Sequence, residues 1–158
     1  MLDSESTSIL GSAGKFITHI AALKLVEQGA ITLDEPIFRH LLELESLPLI
    51  TLGSGNEQFS FSPVTKKITL RHLLSHTSGL ASDRNPPISE YLSSDVSKIR
   101  IEPDTPPIVK RFSMPLIFEP GEGIAYDHST YWTQLPVYRL GENSSTDIFR
   151  SILLTVSA

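Results

Sequence analysis

The chain has 158 residues, 40% of them hydrophobic and 20% charged, with a formal net charge of −5 and no cysteine. That length allows one domain with a modest core. An acidic chain without a basic stripe disfavours nucleic acid and anionic membrane as partners, no apolar run is long enough to span a bilayer, and the lack of cysteine removes disulfides, thiolate catalysis and Cys-based zinc sites.

The opening residues, Met1-Leu2-Asp3-Ser4-Glu5, are acidic and polar and do not read as a secretory signal, so a soluble cytoplasmic protein is the expectation. No internal repeat is found. From Ser12 to about Gln28 the pattern turns helical. Phe16, Ile20, Leu23 and Val26/Glu27 recur at three and four residues, and Ile17, Ala21 and Leu25 widen the stripe. Gly29 suits the left-handed position that ends a helix. Ile31 to Pro36 predicts a turn into a short helix, with Asp34 as N-cap and Pro36 where a missing N–H does no harm.

Residues 47–62 alternate weakly around Gly53-Ser54-Gly55, which predicts a short hairpin or an extended loop. Thr69 is placed to cap a short helix over Leu70–Ser75, stopped near Gly79. Residues 81–110 hold five prolines and read mostly as loop, with a helical patch at Ile88–Leu92. Pro115 to Gly123 is a second loop that turns at Pro120-Gly121. Ser129 is expected to cap a helix over Tyr131–Leu140, and Asp147 another over Ile148–Leu154. Pro136 conflicts with the first of these, since proline inside a helix costs about 3 kcal/mol. The expectation is a kinked or poorly formed helix.

Ser12-Ala13-Gly14-Lys15 is the first group that points to chemistry. Residues three apart share a helix face, so the Ser12 hydroxyl and the Lys15 amine can meet. A serine hydroxyl is a weak nucleophile until a base takes its proton. An amine serves as that base only when neutral, a state that desolvation or a neighbouring cation favours. Alone, the motif reads first as a capping serine with a solvated lysine one turn on, since Ser-x-x-Lys recurs by chance in many proteins.

The sequence context changes this. The dyad opens an amphipathic helix and is followed by Ile68-Thr69-Leu70-Arg71-His72-Leu73-Leu74-Ser75-His76-Thr77-Ser78-Gly79-Leu80, then by Phe118-Glu119-Pro120-Gly121-Glu122-Gly123-Ile124-Ala125-Tyr126. In this order and spacing the blocks resemble the serine β-lactamase and penicillin-binding-protein-like superfamily, in its esterase and acyltransferase branch, which includes the fungal lovastatin-type acyltransferases. The resemblance runs from Ser12 to about Ile148. It implies an acyl-enzyme mechanism on an ester, lactone or amide: Ser12 attacks, Lys15 accepts or relays the proton, and Tyr126 shuttles it to the leaving group. The Ser12 N–H would give half of the oxyanion hole, a type of donor worth about 10²–10³ in rate. The resemblance implies a small-molecule ester or amide as substrate, and neither metal nor organic cofactor.

The sequence departs from that pattern in two places. The second motif reads Tyr126-Asp127-His128 where the family has Tyr, any residue, then Asn or another small polar group. The third motif, Lys or His, any residue, then Gly on a strand, is absent, as are the strands that precede the serine helix. The expected fold is therefore α+β, β-lactamase/transpeptidase-like, with residues 1–158 forming a partial domain: mostly the helical part, with few strands. The alternative reading is a non-catalytic remnant with an uncovered apolar face. A third is assembly with another chain that supplies strands.

Other patterns are set aside. Gly11 to Lys15 lacks the first Gly and the following Ser/Thr of a phosphate loop, positions held by Ile9 and Phe16. His72 and His76 are four apart as in some zinc sites, but no Glu flanks the first and no third ligand is evident, so they read as turn histidines. No Gly-x-Ser-x-Gly elbow occurs. Asn143-Ser144-Ser145 is a glycosylation sequon expected to be idle. Glu119, Glu122 and Asp127 read as solvated acids or caps.

Overall fold

The computed structural model of the protein describes residues 11–53, 58–95, 104–105, 107–126 and 128–141. The first helix, α1, runs from Ala13 to Glu27. It stops as the sequence predicts. Gly29 takes φ 72°, its N–H donates to Val26 O, and the Ala30 N–H donates to Leu25 O, both at 3.0 Å. This is the Schellman arrangement, in which one left-handed residue closes the last free carbonyls.

The face that α1 buries takes in only part of the predicted stripe: Ala21 and Leu25 are buried and Ile20 and Val26 pack against the core. Thr18, Ala21, Ala22 and Leu25 are buried, while Phe16 and Leu23 are 65% and 45% exposed. At about 100° per residue these two rows lie on opposite sides of the helix. The helix is apolar on both sides, and the side with the smaller residues faces the core.

Two short 3₁₀ turns follow, at Ile37–Arg39 and Leu42–Leu44. Asp34 does not cap the first of them. Pro36 holds the cap position without a side-chain bond, and the Asp34 carboxylate instead accepts two bonds from the Arg71 guanidinium at 2.7 and 2.8 Å. A bidentate charged partner outcompetes the free N–H groups of a single 3₁₀ turn.

Strands β1 (Leu49–Leu52) and β2 (Phe59–Ser62) form the predicted hairpin, antiparallel, with Ile50 opposite Phe61. Its tip lies outside the described residues. Helix α2 (Leu70–Leu74) has the predicted Thr69 cap. The Thr69 hydroxyl accepts the His72 N–H, and the Thr69 N–H donates to His72 Nδ1, a full capping box. The predicted helical patch is α3 (Ile88–Ser93). A further helix, α4 (Pro107–Phe112), lies in a segment predicted as loop; its opening Pro107 sits where proline is tolerated, and Val109 and Phe112 are buried.

The last described helix, α5, spans Ser129–Leu140 and continues through Pro136. Ser129 is not its cap. His128 holds that position, and the buried Ser129 Oγ instead lies 2.8 Å from Ser78 Oγ. Packing holds α5 despite its proline: Trp132 is 1% exposed and its Nε1–H donates to Phe112 O at 3.1 Å. The helix predicted over Ile148–Leu154 lies outside the described residues.

The main core joins α1, the 3₁₀ turns, α2, α4 and α5 through Ala21, Leu25, Leu70, Leu73, Leu116 and Trp132. A smaller cluster under the hairpin holds Ile50, Phe59, Ala81, Ile88, Tyr91 and Ala125. Leu116 ties the hairpin to the helices: its N–H donates to Pro48 O and its carbonyl accepts from Ile50 N–H, both at 2.8 Å. Among the described residues the sheet is two-stranded, and no helix is long and apolar enough to cross a membrane.

Candidate active site

Ser12 stands exposed at the N-terminus of α1, in helical backbone geometry, just after Gly11 at φ 53°. Lys15 follows one turn later, and its N–H donates to Ser12 O at 3.1 Å. The Lys15 Nζ lies 4.9 Å from the centroid of the Tyr126 ring, within range of a cation–π contact. The fold therefore brings Lys15 and Tyr126, far apart in sequence, to one place beside the start of α1.

Tyr126 ends a loop that the turn after α2 holds by main-chain bonds. Ile117 N–H donates to Gly79 O at 2.9 Å, Gly121 N–H to Thr77 O at 2.8 Å, and Ala125 N–H to His76 O at 2.9 Å. Leu80 bridges Leu116 in antiparallel fashion. The Glu119 carboxylate fastens the same loop to residues 65–66, accepting the Thr65 N–H at 2.9 Å and the Lys66 N–H at 3.0 Å. Those amides, Lys66 first, hold the Glu119 carboxyl below its ordinary range. Glu122 pairs with the Lys66 ammonium at 2.7 Å. Glu119, read as a solvated acid or a cap, instead binds the amides of a bend that begins no helix.

His72 serves the capping box and lies against the Pro120-Gly121 turn, where a Cβ on Gly121 would meet its Nε2 at 3.4 Å. Burial, with smaller contributions from Arg71 and Lys66, lowers its pKa against the opposing pull of Asp34. His76 has a different setting. Its ring packs against Tyr126 with centroids 4.6 Å apart and faces His19 at 5.9 Å.

His19 was not singled out by the sequence, though it lies four residues after Lys15 and so on the same helix face. Burial first, then His76 and Lys15, push its pKa down. The neighbourhood of Tyr126 thus holds three nitrogen bases, Lys15, His19 and His76.

On the α5 side, a groove of about 370 Å³ borders the dyad helix, lined by Gly11, Gly14, Lys15, Thr130, Tyr131 and Gln134 among others. That volume is within the range of small-molecule sites. His128, third residue of the second motif, is buried and packs edge-on against Phe112 at 4.9 Å.

Residues 4–139 match the beta-lactamase family model. The chain is 37% identical over 134 residues to the acyltransferase calJ of Penicillium decumbens, covering 83% of this chain and 31% of that protein. It is 33% identical over 137 residues to the lovastatin esterase of Penicillium rubens, covering 83% and 33%. Among solved structures, a mutant of simvastatin synthase from Aspergillus terreus superposes with a TM-score of 0.74 at 29% identity, covering 89% of this chain and 35% of that one. The chain spans about a third of the length of the relatives it matches. Together with the helices and hairpin described above, these likenesses establish that the chain belongs to the beta-lactamase family, with the β-lactamase/transpeptidase-like fold represented here chiefly by its helical part.

Proposed function

We propose that the chain carries a serine acyl-transfer centre, with Ser12 as nucleophile, Lys15 as base and Tyr126 as proton shuttle, acting on a small-molecule ester, lactone or amide. The observation that supports this reading is the seating of the Lys15 amine 4.9 Å from the Tyr126 ring centroid, one helical turn after Ser12. The relatives named above as an acyltransferase and an esterase support the same class of reaction.

In the first step Ser12 Oγ bonds to the substrate carbonyl carbon and gives its proton to Lys15. The bond from that carbon to the alkoxide or amine then breaks, and Tyr126 passes the proton to the leaving group. Water or an alcohol reverses the sequence on the acyl-enzyme, which yields hydrolysis or transfer. The Ser12 N–H, at the positive end of α1, is suited to the developing oxyanion. Residues 1–158 act in this reading as part of a larger catalytic domain.

The test is mass spectrometry of the intact chain after exposure to p-nitrophenyl butyrate, beside Ser12→Ala. A butyryl adduct on the wild type alone is expected. No adduct on a chain that unfolds cooperatively would overturn the assignment.

A second reading, a non-catalytic remnant, is favoured by one observation: the face of α1 that carries Phe16 and Leu23 is uncovered. It predicts weak cooperativity and dye binding to exposed apolar surface. A sharp thermal transition with a strong near-ultraviolet dichroism spectrum would count against it.

A further inference from the structure

We infer that His76 is a positioning residue: it holds the Tyr126 ring in place beside the Lys15 amine. The inference rests on the proposed function, because only there does the placement of Tyr126 set a rate.

His76 is the one non-glycine residue with positive φ among those described, at 58°. Histidine, asparagine and aspartate are the side chains that enter this region most readily. The turn it makes aims its carbonyl at the Ala125 N–H, 2.9 Å away, and its ring at the Tyr126 ring, 4.6 Å away and tilted by 51°. One residue thus fixes both the main chain entering Tyr126 and the ring of Tyr126 itself.

Tyr126 needs such support. It is 54% exposed, and its neighbour Ile124 is 79% exposed. A half-exposed tyrosine on a loop keeps one orientation only through the groups against its ring. Two groups among the described residues stand against it: the Lys15 side-chain nitrogen, 4.9 Å from the ring centroid, and the His76 ring. His19 in turn lies 5.9 Å from His76, so α1 supplies both the amine and a second contact to the support. In this arrangement His76 acts through the Tyr126 ring it packs against.

The test is the rate of Ser12 acylation in His76→Asn. Asparagine tolerates the left-handed backbone and keeps the bond to Ala125 but removes the ring. The acylation rate constant should fall about ten- to hundred-fold, as expected when a catalytic group is misplaced rather than removed, while half-saturation by p-nitrophenyl butyrate stays unchanged. In a Tyr126→Phe background the same substitution should have no further effect. An unchanged rate, or an equal loss in the Tyr126→Phe background, would overturn the inference. If His76→Asn does not fold, His76→Gly, equally at home at this φ, takes its place.

Should the wild type form no adduct, the proposed function has failed, and positioning is read by nuclear magnetic resonance instead. A nuclear Overhauser contact between the Tyr126 ring and the Lys15 side chain is expected in the wild type and is lost in His76→Asn. Its absence from the wild type, or its survival in the variant, sinks the inference.

Discussion

Gly79 sits at φ 87°, and a Cβ built there would lie 2.2 Å from the Phe118 carbonyl oxygen. The obstacle is main chain, which cannot rotate away as a side chain can. Gly79 O also accepts the Ile117 N–H, so the clash falls on the contact that docks the Tyr126 loop. Gly79→Ala should lower the unfolding free energy by about 2–4 kcal/mol, combining left-handed strain with the clash. Gly14→Ala makes the contrast: nothing lies within 4 Å of its Cβ position, and inside a helix alanine should add about 0.5–1 kcal/mol. Urea denaturation of both variants checks the pair, and equal effects would contradict the close approach. At this scale the proposed Ser12, Lys15 and Tyr126 are legible in the sequence only as members of ordered motifs, and the fold places the last two side by side. His19 and His76 were not legible as neighbours of Tyr126, because a ring-to-ring contact between a helix, a turn and a loop leaves no periodic trace in the chain.

Local signals with their own hydrogen-bond logic were legible as elements. Thr69 followed by His72 gives a capping box, and Gly29 gives the Schellman stop, since both depend only on residues within a few positions. Thr69→Ala should cost about 1 kcal/mol through the lost cap. Because α2 is only five residues long, the turn it sets should loosen as well. Hydrogen exchange should then rise at Gly121 and Ala125, whose N–H groups bond to Thr77 and His76. Unchanged protection there would show that the turn does not depend on its cap. Features set by tertiary partners were not legible. The predicted stripe of α1 was too wide on the side of Phe16 and Leu23, which face solvent, and left out Thr18 and Ala22, because only the partner helix decides which row meets the core. Asp34 and Ser129 both had plausible caps nearby and instead took distant partners, Arg71 and Ser78. Helix α4 hid among prolines, and α5 persists across Pro136 because buried contacts at Trp132, Leu135 and Val137 hold it.

For the whole molecule, acid should act in two stages, because two kinds of group are perturbed. His19 and His72 are held below the ordinary histidine value by burial. The unfolded chain therefore takes up their protons first, and stability should begin to fall as pH drops through about 6.5. The carboxyls of Glu119, Glu43, Asp34 and Glu35 are also depressed. The largest causes are the Lys66 amide, Arg139, Arg71 and the Thr32 amide respectively. Their contribution is fully present above the unfolded carboxylate value of about 4 and is lost as pH falls through their lowered folded values. Asp34 is exposed and the other three are half-buried, so solvent still screens each pair and the second stage should be shallow for each and visible as a sum. Unfolding free energy measured by urea from pH 8 to pH 3 should show both stages. Combining His19→Gln with His72→Gln, where glutamine can still complete the capping box, should remove the upper stage and leave the lower one. A wild-type profile flat between pH 7 and pH 5 would contradict the burial of these histidines. Since His72 also braces the loop that ends in Tyr126, acylation of Ser12 should decline along the same upper stage, and should do so less steeply in the double variant.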